Sequence, residues 1–167
     1  GQLLWKQKVE DWTQGYSLTV APLIANGVAV TGCSGAEFGA RCFLDGWDPD
    51  TGAHLWRRYT VPGPGEKYHE TWQPSEAYLH GGASTWITGS YDPELDLMYW
   101  GTGNAAPYNP DKRKGDNLYA ASVIAVPRST CQVSVSPVSR LRAEGWDTVL
   151  PARTSLTYTE TPGRDSV

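Results

Sequence analysis

Residues 80–117, HGGASTWITGSYDPELDLMYWGTGNAAPYNPDKRKGDN, contain the strand and turn signals that decide the fold. The residue pattern predicts two strands, at 84–90 and 97–100, which flank the turn-forming sequence DPELD at 92–96. The second strand runs into the glycine-rich turn GTGN, which ends at Asn104. The stretch is therefore typical of a β-hairpin that presents a carboxamide oxygen at its far end.

The composition of the chain favours many short strands and turns. Its 167 residues are 40% hydrophobic, which is enough for the core of one ordinary domain. Eight Trp and nine Tyr far outnumber two Phe and one Met, while 18 Gly and 12 Pro interrupt the sequence at short intervals. We therefore expect an all-β chain.

The charge and apolar patterns argue against a nucleic-acid partner and against a membrane-spanning helix. The formal net charge is -4, and the Lys and Arg residues are scattered, so we expect no nucleic-acid partner. No apolar run approaches the ~20 residues that a membrane helix needs, so we expect no membrane span. The first residues, GQLLWKQKV, lack the parts of a signal peptide, and any export signal is expected outside this sequence.

Three cysteines, Cys33, Cys42 and Cys131, give an odd count with no metal-type CxxC pair. Two interpretations of Cys33 and Cys42 remain open. They can face each other across strands and form a disulfide, or they can be two separate buried thiols. We favour the separate thiols, because free cysteine is among the most buried residue types.

A short repeat predicts how the strands are assembled. The pattern G-x-x-x-W occurs at 1–5 and again at 52–56, where a DPDTG turn joins predicted strands at 43–47 and 54–59. The tryptophan can dock on a neighbouring sheet and so tie one repeat to the next. Stacked four-stranded units of this kind form a propeller, and a single β-sandwich is the weaker alternative.

A second glycine-rich turn lies earlier in the chain. Strands predicted at 19–24 and 28–31 pair about an Asn-Gly turn, the strongest short hairpin signal in the sequence. The second of these strands runs into GCSGAEFG at 32–39, which presents Ser34 and Glu37. Two strands of the chain thus end in glycine-rich turns that carry polar side chains.

These two turns suggest a site for a flat ligand with an oxygen-liganded ion. Glu37 and Asn104 offer a carboxylate and a carboxamide oxygen, a combination that a hard cation prefers. Taken singly, each is more simply a turn residue in solvent. The ion site gains support from Trp86, whose ring can form the floor of an aromatic sandwich. Hydroxyl donors are available from Thr19, Ser34 and Ser84.

Other catalytic patterns are absent from the sequence. The three histidines, His54, His69 and His80, show no metal-ligand spacing, and no nucleophilic triad has its local signature. GTGN is not a dinucleotide fingerprint, because no G-x-G-x-x-G opens a helix. A hydrolase and a nicotinamide enzyme are therefore both unsupported.

Five segments resemble, in order and with similar spacing, the pyrroloquinoline quinone (PQQ)-dependent alcohol dehydrogenases of the methanol/ethanol dehydrogenase family. They are GYSLTVAP, GCSGAEFGARCFLDGWDPDTGAHLWRRYTVPGPGE, ETW, GGASTWITGSYDPELDLMYWGTGN and GDNLYAASVIAV. The resemblance covers roughly residues 1–126. It implies an eight-bladed β-propeller, of which this chain would supply two to three consecutive blades.

The resemblance stops where the sequence changes character. From residue 127, Arg, Ser, Thr and Pro dominate, and neither a strand nor a helix period can be read. We therefore divide the chain into a partial quinoprotein propeller at 1–126 and a divergent, irregular tail at 127–167. We interpret the tail as a frame disruption or an unrelated fused end, and we expect this fragment to be inactive alone.

The resemblance also assigns roles to individual residues. It implies that Glu37 and Asn104 are ligands of a Ca²⁺ or lanthanide ion that bridges to PQQ, and that Trp86 stacks beneath the quinone plane. Ser84 stands where a threonine is common in the family. The implied polar and backbone contacts to PQQ are Thr19, Ser34, Gly35, Ala36 and Ser84.

The implied reaction is oxidation of a primary alcohol to an aldehyde in the periplasm. The ion would act as Lewis acid on the quinone C5 carbonyl, an aspartate would take the hydroxyl proton, and hydride would pass to C5. Electrons would then leave to a cytochrome c. Trp146 and Asp147 lie about forty residues after Asn104, but their surroundings, GWDTVL, differ from the family's. We therefore name no catalytic residue.

Two other classes of protein remain as alternatives. A non-catalytic propeller scaffold would need the tryptophan repeats but has no use for Glu37, Trp86 and Asn104 together. A carbohydrate-binding β module would account for the many Trp and Tyr residues. Such a module would bind sugar without metal or quinone.

Overall fold

The computed structural model describes residues 1–127 and a further strand at 134–138, and these residues form two four-stranded antiparallel sheets. The first sheet contains β1 (Leu23–Ala25), β2 (Val28–Gly32), β3 (Phe43–Trp47) and β4 (His54–Tyr59). The second contains β5 (Ser90–Asp92), β6 (Leu97–Gly101), β7 (Val123–Pro127) and β8 (Ser134–Val138). The described residues also form short 3₁₀ helices at Trp12–Gln14, Ala36–Phe38, His69–Thr71, Ser75–His80 and Pro110–Lys112.

Each sheet pairs its strands in chain order, as the blade of a propeller does. The all-β prediction is therefore confirmed, and the described residues account for two blades. No helix among the described residues is both long enough and apolar enough to cross a membrane.

The predicted hairpin around the Asn-Gly turn is confirmed. Asn26 and Gly27 both have positive φ, at 42° and 83°, which is the backbone that a two-residue hairpin turn requires. The first strand is shorter than the predicted 19–24, because the chain before β1 pairs elsewhere. Ser17 exchanges two backbone hydrogen bonds with Ser34, which draws this segment toward the loop after β2.

The predicted strands at 43–47 and 54–59 coincide with β3 and β4. The turn between them is fixed by Asp48, whose Oδ1 accepts hydrogen bonds from the backbone N–H groups of Asp50 (3.0 Å) and Thr51 (2.8 Å). Gly52 completes the turn with φ of 72°. Local turn chemistry is therefore sufficient to define this hairpin.

Docking of a repeat tryptophan is confirmed for Trp5. Its Nε1 donates a hydrogen bond of 2.8 Å to the Pro49 carbonyl, and its ring lies over Gly52 so closely that a Cβ there would be 2.5 Å from the ring. The tryptophan of the first repeat thus packs on the turn of the second. Trp56 packs against Gly46 of its own sheet and against the core.

One apolar core joins the two sheets. Buried side chains of β1–β3 pack in a single cluster with buried side chains of β6 and β7, and Tyr119 from the segment before β7 completes it. The fully enclosed members include Trp100 and Leu44. The buried members of the cluster are Ala25, Val28, Val30, Leu44, Met98, Trp100, Tyr119, Ile124 and Val126.

The strand predicted at 84–90 is wrong over most of its length, because only Ser90–Asp92 forms β5. The reason is that Thr85 forms hydrogen bonds to residues in and next to the first sheet. The Thr85 backbone N–H donates to the Cys33 carbonyl, and its hydroxyl donates to the carbonyl of Phe43 while accepting from the Cys33 N–H. The segment therefore crosses between the sheets instead of pairing with β6.

The sequence predicts no element after residue 127, whereas the structure places β8 there, paired with β7. This strand completes the second sheet. The division of the chain at 126/127 stays a prediction. Residues 128–133 and 139–167, which include Cys131, Trp146 and Asp147, lie outside the described part of the chain.

Candidate cofactor and metal site

The SGAEFG loop, residues 34–39, connects β2 toward β3 through one 3₁₀ turn. Gly35, with φ of 115°, precedes the turn, and Gly39, with φ of 82°, ends it. A side chain at Gly35 would collide with the Gly15 carbonyl, so the backbone there requires glycine. The turn buries Ala36 and directs Glu37 into solvent.

A pair of hydroxyl groups lies at the base of this loop. The Oγ1 of Thr19 and the Oγ of Ser34 are 2.6 Å apart, within hydrogen-bond distance. Thr19 is exposed and Ser34 is half-buried, so both remain accessible to a ligand from the same side. The sequence predicted both as hydroxyl donors but not their contact.

The GTGN loop, residues 101–104, runs beside Ser84. The Gly103 N–H donates to the Ser84 carbonyl (2.7 Å), and the Ala83 N–H donates to the Asn104 carbonyl (2.9 Å). A Cβ at Gly103 would lie 2.5 Å from the Ser84 hydroxyl, so glycine permits this approach. Ser84 is buried, whereas the Asn104 residue is exposed.

Trp86 directly follows a backbone segment that is hydrogen-bonded to both regions. The preceding Thr85 is tied to Cys33, next to the SGAEFG loop, while Ser84 is tied to Gly103 in the GTGN loop. The Trp86 side chain itself is 54% exposed. An exposed indole ring offers a flat surface on which an aromatic ligand can stack.

Glu37 has a partner that sequence reasoning missed. The Tyr108 hydroxyl donates a hydrogen bond of 3.2 Å to the Oε1 of Glu37. Burial raises the pKa of Tyr108 above its ordinary range, and the Glu37 carboxylate raises it further, so the phenol stays protonated as a donor at neutral pH. The available signal was weak: Tyr108 lies in the proline-containing stretch AAPYNP at 105–110, which follows the GTGN turn.

A cavity of about 640 Å³ opens beside Glu37. It lies between the SGAEFG loop, the 3₁₀ helix at Ser75–His80 and the loop that carries Tyr108. Its walls are mainly apolar and include Ala77 and Pro107. Space for a small organic molecule is thus available next to a candidate metal ligand.

The donor set fits an ion that is shared with a bound cofactor. Among the described residues, no three His, Cys, Asp or Glu side chains cluster in a way that could hold a metal ion. Glu37 and Asn104 supply two oxygen donors, whereas Ca²⁺ takes 6–8 oxygen ligands. A ligand with carboxylate and carbonyl oxygens of its own would have to supply others.

Comparison with known proteins gives close relatives. The chain is 42% identical over 139 residues to quinohemoprotein alcohol dehydrogenase ADH IIB of Pseudomonas putida, an alignment that covers 75% of this chain and 20% of the relative. It is 37% identical over 147 residues to a lanthanide-dependent methanol dehydrogenase of Methylacidiphilum fumariolicum, covering 75% of this chain and 23% of that protein.

Solved structures agree with these relatives. Quinohemoprotein alcohol dehydrogenase ADHIIG of Pseudomonas putida HK5 superposes with a TM-score of 0.73 at 38% identity, covering 80% of this chain and 22% of that one. The chain thus spans between a fifth and a quarter of the length of the relatives it matches.

The model of one protein family matches nearly the whole chain. Its description is PQQ, glucose/ethanol/alcohol dehydrogenase β-propeller domain, and the match runs over residues 1–165. The resemblance deduced from the five sequence segments is therefore confirmed. The chain belongs to the β-propeller family of PQQ-dependent glucose, ethanol and other alcohol dehydrogenases.

Proposed function

We propose that this chain is part of a quinoprotein that oxidises primary alcohols to aldehydes with metal-bound PQQ. The observation that carries the proposal is the hydrogen bonding of the segment just before Trp86, in which Ser84 bonds to the GTGN loop and Thr85 bonds to Cys33 beside the SGAEFG loop. The named relatives are dehydrogenases, which favours this function over a scaffold or a carbohydrate-binding module.

The proposed binding roles follow the chemistry of each side chain. Trp86 stacks against one face of PQQ, and Glu37 and Asn104 bind Ca²⁺ or a lanthanide ion through oxygen. Bound PQQ would supply the two-electron acceptor for the alcohol. The hydroxyl and backbone groups that orient its polar edge are Thr19, Ser34, Gly35, Ala36 and Ser84.

Tyr108 would position Glu37 for the ion. Its hydroxyl donates to one carboxylate oxygen, which restricts rotation of the Glu37 side chain and leaves lone pairs free for a metal. The neighbouring cavity provides an apolar space in which the alkyl part of a small alcohol can lie. Glu37 would thus lie between the ion and the space open to substrate.

The electron acceptor and the compartment are proposed from the family alone. We infer that a cytochrome c receives the electrons and that the protein works in the periplasm. The base that removes the hydroxyl proton is not assigned, and Asp147 lies outside the described residues.

The metal-ligand role can be tested in a full-length dehydrogenase that contains this segment. The protein is reconstituted with PQQ and either Ca²⁺ or a lanthanide, and dye-linked oxidation of a primary alcohol is measured. Glu37→Ala should lower kcat/KM by at least about 100-fold, because a ligand of the ion is lost.

Glu94→Ala is the matched control, since it removes an exposed carboxylate from the turn before β6. That variant should retain the activity of the wild type. Undiminished activity in Glu37→Ala would remove Glu37 from the proposed metal site.

A further inference from the structure

Cys33 and Cys42 lie at the two ends of the segment that contains the SGAEFG loop. Cys33 follows β2 directly, and Cys42 directly precedes β3. Both are free thiols in the structure, 1% and 0% exposed, and their Sγ atoms are only 2.6 Å apart. Two unbonded sulfur atoms do not normally approach so closely. The Sγ–Sγ distance is instead closer to that of a disulfide bond.

The backbone holds both cysteines in this position. The N–H and C=O groups of Cys33 both bond to Thr85, at 2.8 Å and 2.9 Å. The Cys42 N–H donates to the Gly82 carbonyl (3.2 Å), and its C=O accepts from the Thr60 N–H (3.0 Å). The backbones of the two cysteines therefore cannot move apart without breaking buried hydrogen bonds.

We propose that Cys33 and Cys42 form a disulfide bond that closes the base of the SGAEFG loop. The bond would join the ends of the segment that presents Ser34, Gly35, Ala36 and Glu37. It would hold this loop against the first sheet whether or not a ligand is bound. The inference concerns the covalent structure of the loop and does not depend on the proposed dehydrogenase activity.

The bond forms by thiol–disulfide exchange with a small-molecule or protein disulfide. One cysteine thiolate attacks the oxidant's disulfide, and the second then displaces the mixed disulfide, so that two electrons and two protons pass to the oxidant, which leaves as two thiols.

The burial of the pair determines when this exchange takes place. The contact with Cys33, and then burial, raise the pKa of the Cys42 thiol above its ordinary range, which suppresses the thiolate in the closed core. Exchange therefore takes place before the core closes, and the finished bond is shielded from reductants.

The bond can be mapped in the 167-residue chain, because trypsin cuts between the two cysteines at Arg41. The chain is refolded with oxidised and reduced glutathione, treated with N-ethylmaleimide in denaturant, and digested without reduction. Peptides 9–41 and 42–57 should be recovered as one linked species that reductant separates. Cys131, in peptide 129–140, serves as the internal control and should carry the label.

Two outcomes would overturn the proposal. In the first, the unreduced digest contains both Cys33 and Cys42 labelled with N-ethylmaleimide. The other is a peptide that links either of them to Cys131.

A second measurement uses variants. Chain refolded with reductant throughout should unfold about 5–10 °C below chain refolded with the glutathione pair, as expected for a short closed loop. The Cys33→Ala/Cys42→Ala variant should have the same melting temperature in both refolding conditions. The Cys131→Ala variant should show the same difference in melting temperature as the wild type. A wild-type chain whose melting temperature is the same in both refolding conditions would contradict a stabilising bond.

Discussion

Glu37 illustrates how much of a candidate site depends on a single side chain and its neighbour. The 3₁₀ turn directs this carboxylate into solvent, where free rotation would weaken its affinity for an ion. The Tyr108 hydroxyl restricts that rotation from a loop 71 residues later in the chain. The orientation of the proposed metal ligand therefore depends on the second blade as well as the first.

This contact leads to a prediction for metal affinity. Tyr108→Phe removes the hydrogen bond but keeps the ring, so the affinity of the reconstituted dehydrogenase for europium should fall about 10-fold, as measured by luminescence titration. Tyr99→Phe, which removes a hydroxyl from β6, is the control and should leave the affinity unchanged. Equal affinities for wild type and Tyr108→Phe would show that the contact does not position Glu37.

At the scale of elements, Trp5 and Gly52 show how one repeat is attached to the next. The indole ring occupies the space that a side chain at Gly52 would need, and its N–H bonds to the same turn. The turn between β3 and β4 therefore has two functions. It reverses the chain, and it provides the surface on which the preceding repeat packs.

Gly52→Ala should destabilise the chain for two reasons, the positive φ of 72° and the collision with Trp5. We expect a loss of roughly 2–3 kcal/mol in the free energy of unfolding, measured with urea and tryptophan fluorescence. Gly27→Ala is a matched control, because Gly27 also has positive φ but no heavy atom within 4 Å of its added Cβ. Its loss should be about 1 kcal/mol. Equal losses would mean that Trp5 does not dock in solution.

Sequence reasoning succeeded where local chemistry determines the structure. The bounds of β3 and β4 were predictable because Asp48 and Gly52 specify the turn that joins them. The strand predicted at 84–90 failed because Thr85 is bonded to residues more than 40 positions away, which no local pattern reveals. For the same reason the sequence offered Glu37 as a candidate ion ligand from its glycine-rich turn and from the family resemblance, but it gave no sign of the hydrogen bond from Tyr108.

At the scale of the whole molecule, two blades leave much apolar surface exposed. Large apolar side chains lie on β1 and β4, which are the edge strands of the first sheet, and in the segments between strands, and exposed edge strands favour association. The described residues with exposed large apolar side chains include Leu3, Leu4, Trp12, Ile24, Phe38 and Leu55.

The isolated chain should therefore associate at micromolar concentration, with a sedimentation coefficient that rises with concentration. Ile24→Lys combined with Leu55→Lys, which places charges on two exposed strand positions, should reduce this association. A sharp monomeric boundary for the wild type at every concentration would contradict the prediction.

The apolar cluster between the sheets should determine how slowly the backbone at the candidate site opens to solvent. Leu44 and Trp100 belong to different blades but to one core, and Gly32 approaches Thr85 so closely that a side chain between them has no space. The backbone that supports both loops is thus bonded to the core shared by the two blades, which we expect to open last. Amide hydrogens of Thr85 and Gly103 should exchange with deuterium as slowly as those of the central strands, in which case the candidate binding face would open only together with both blades.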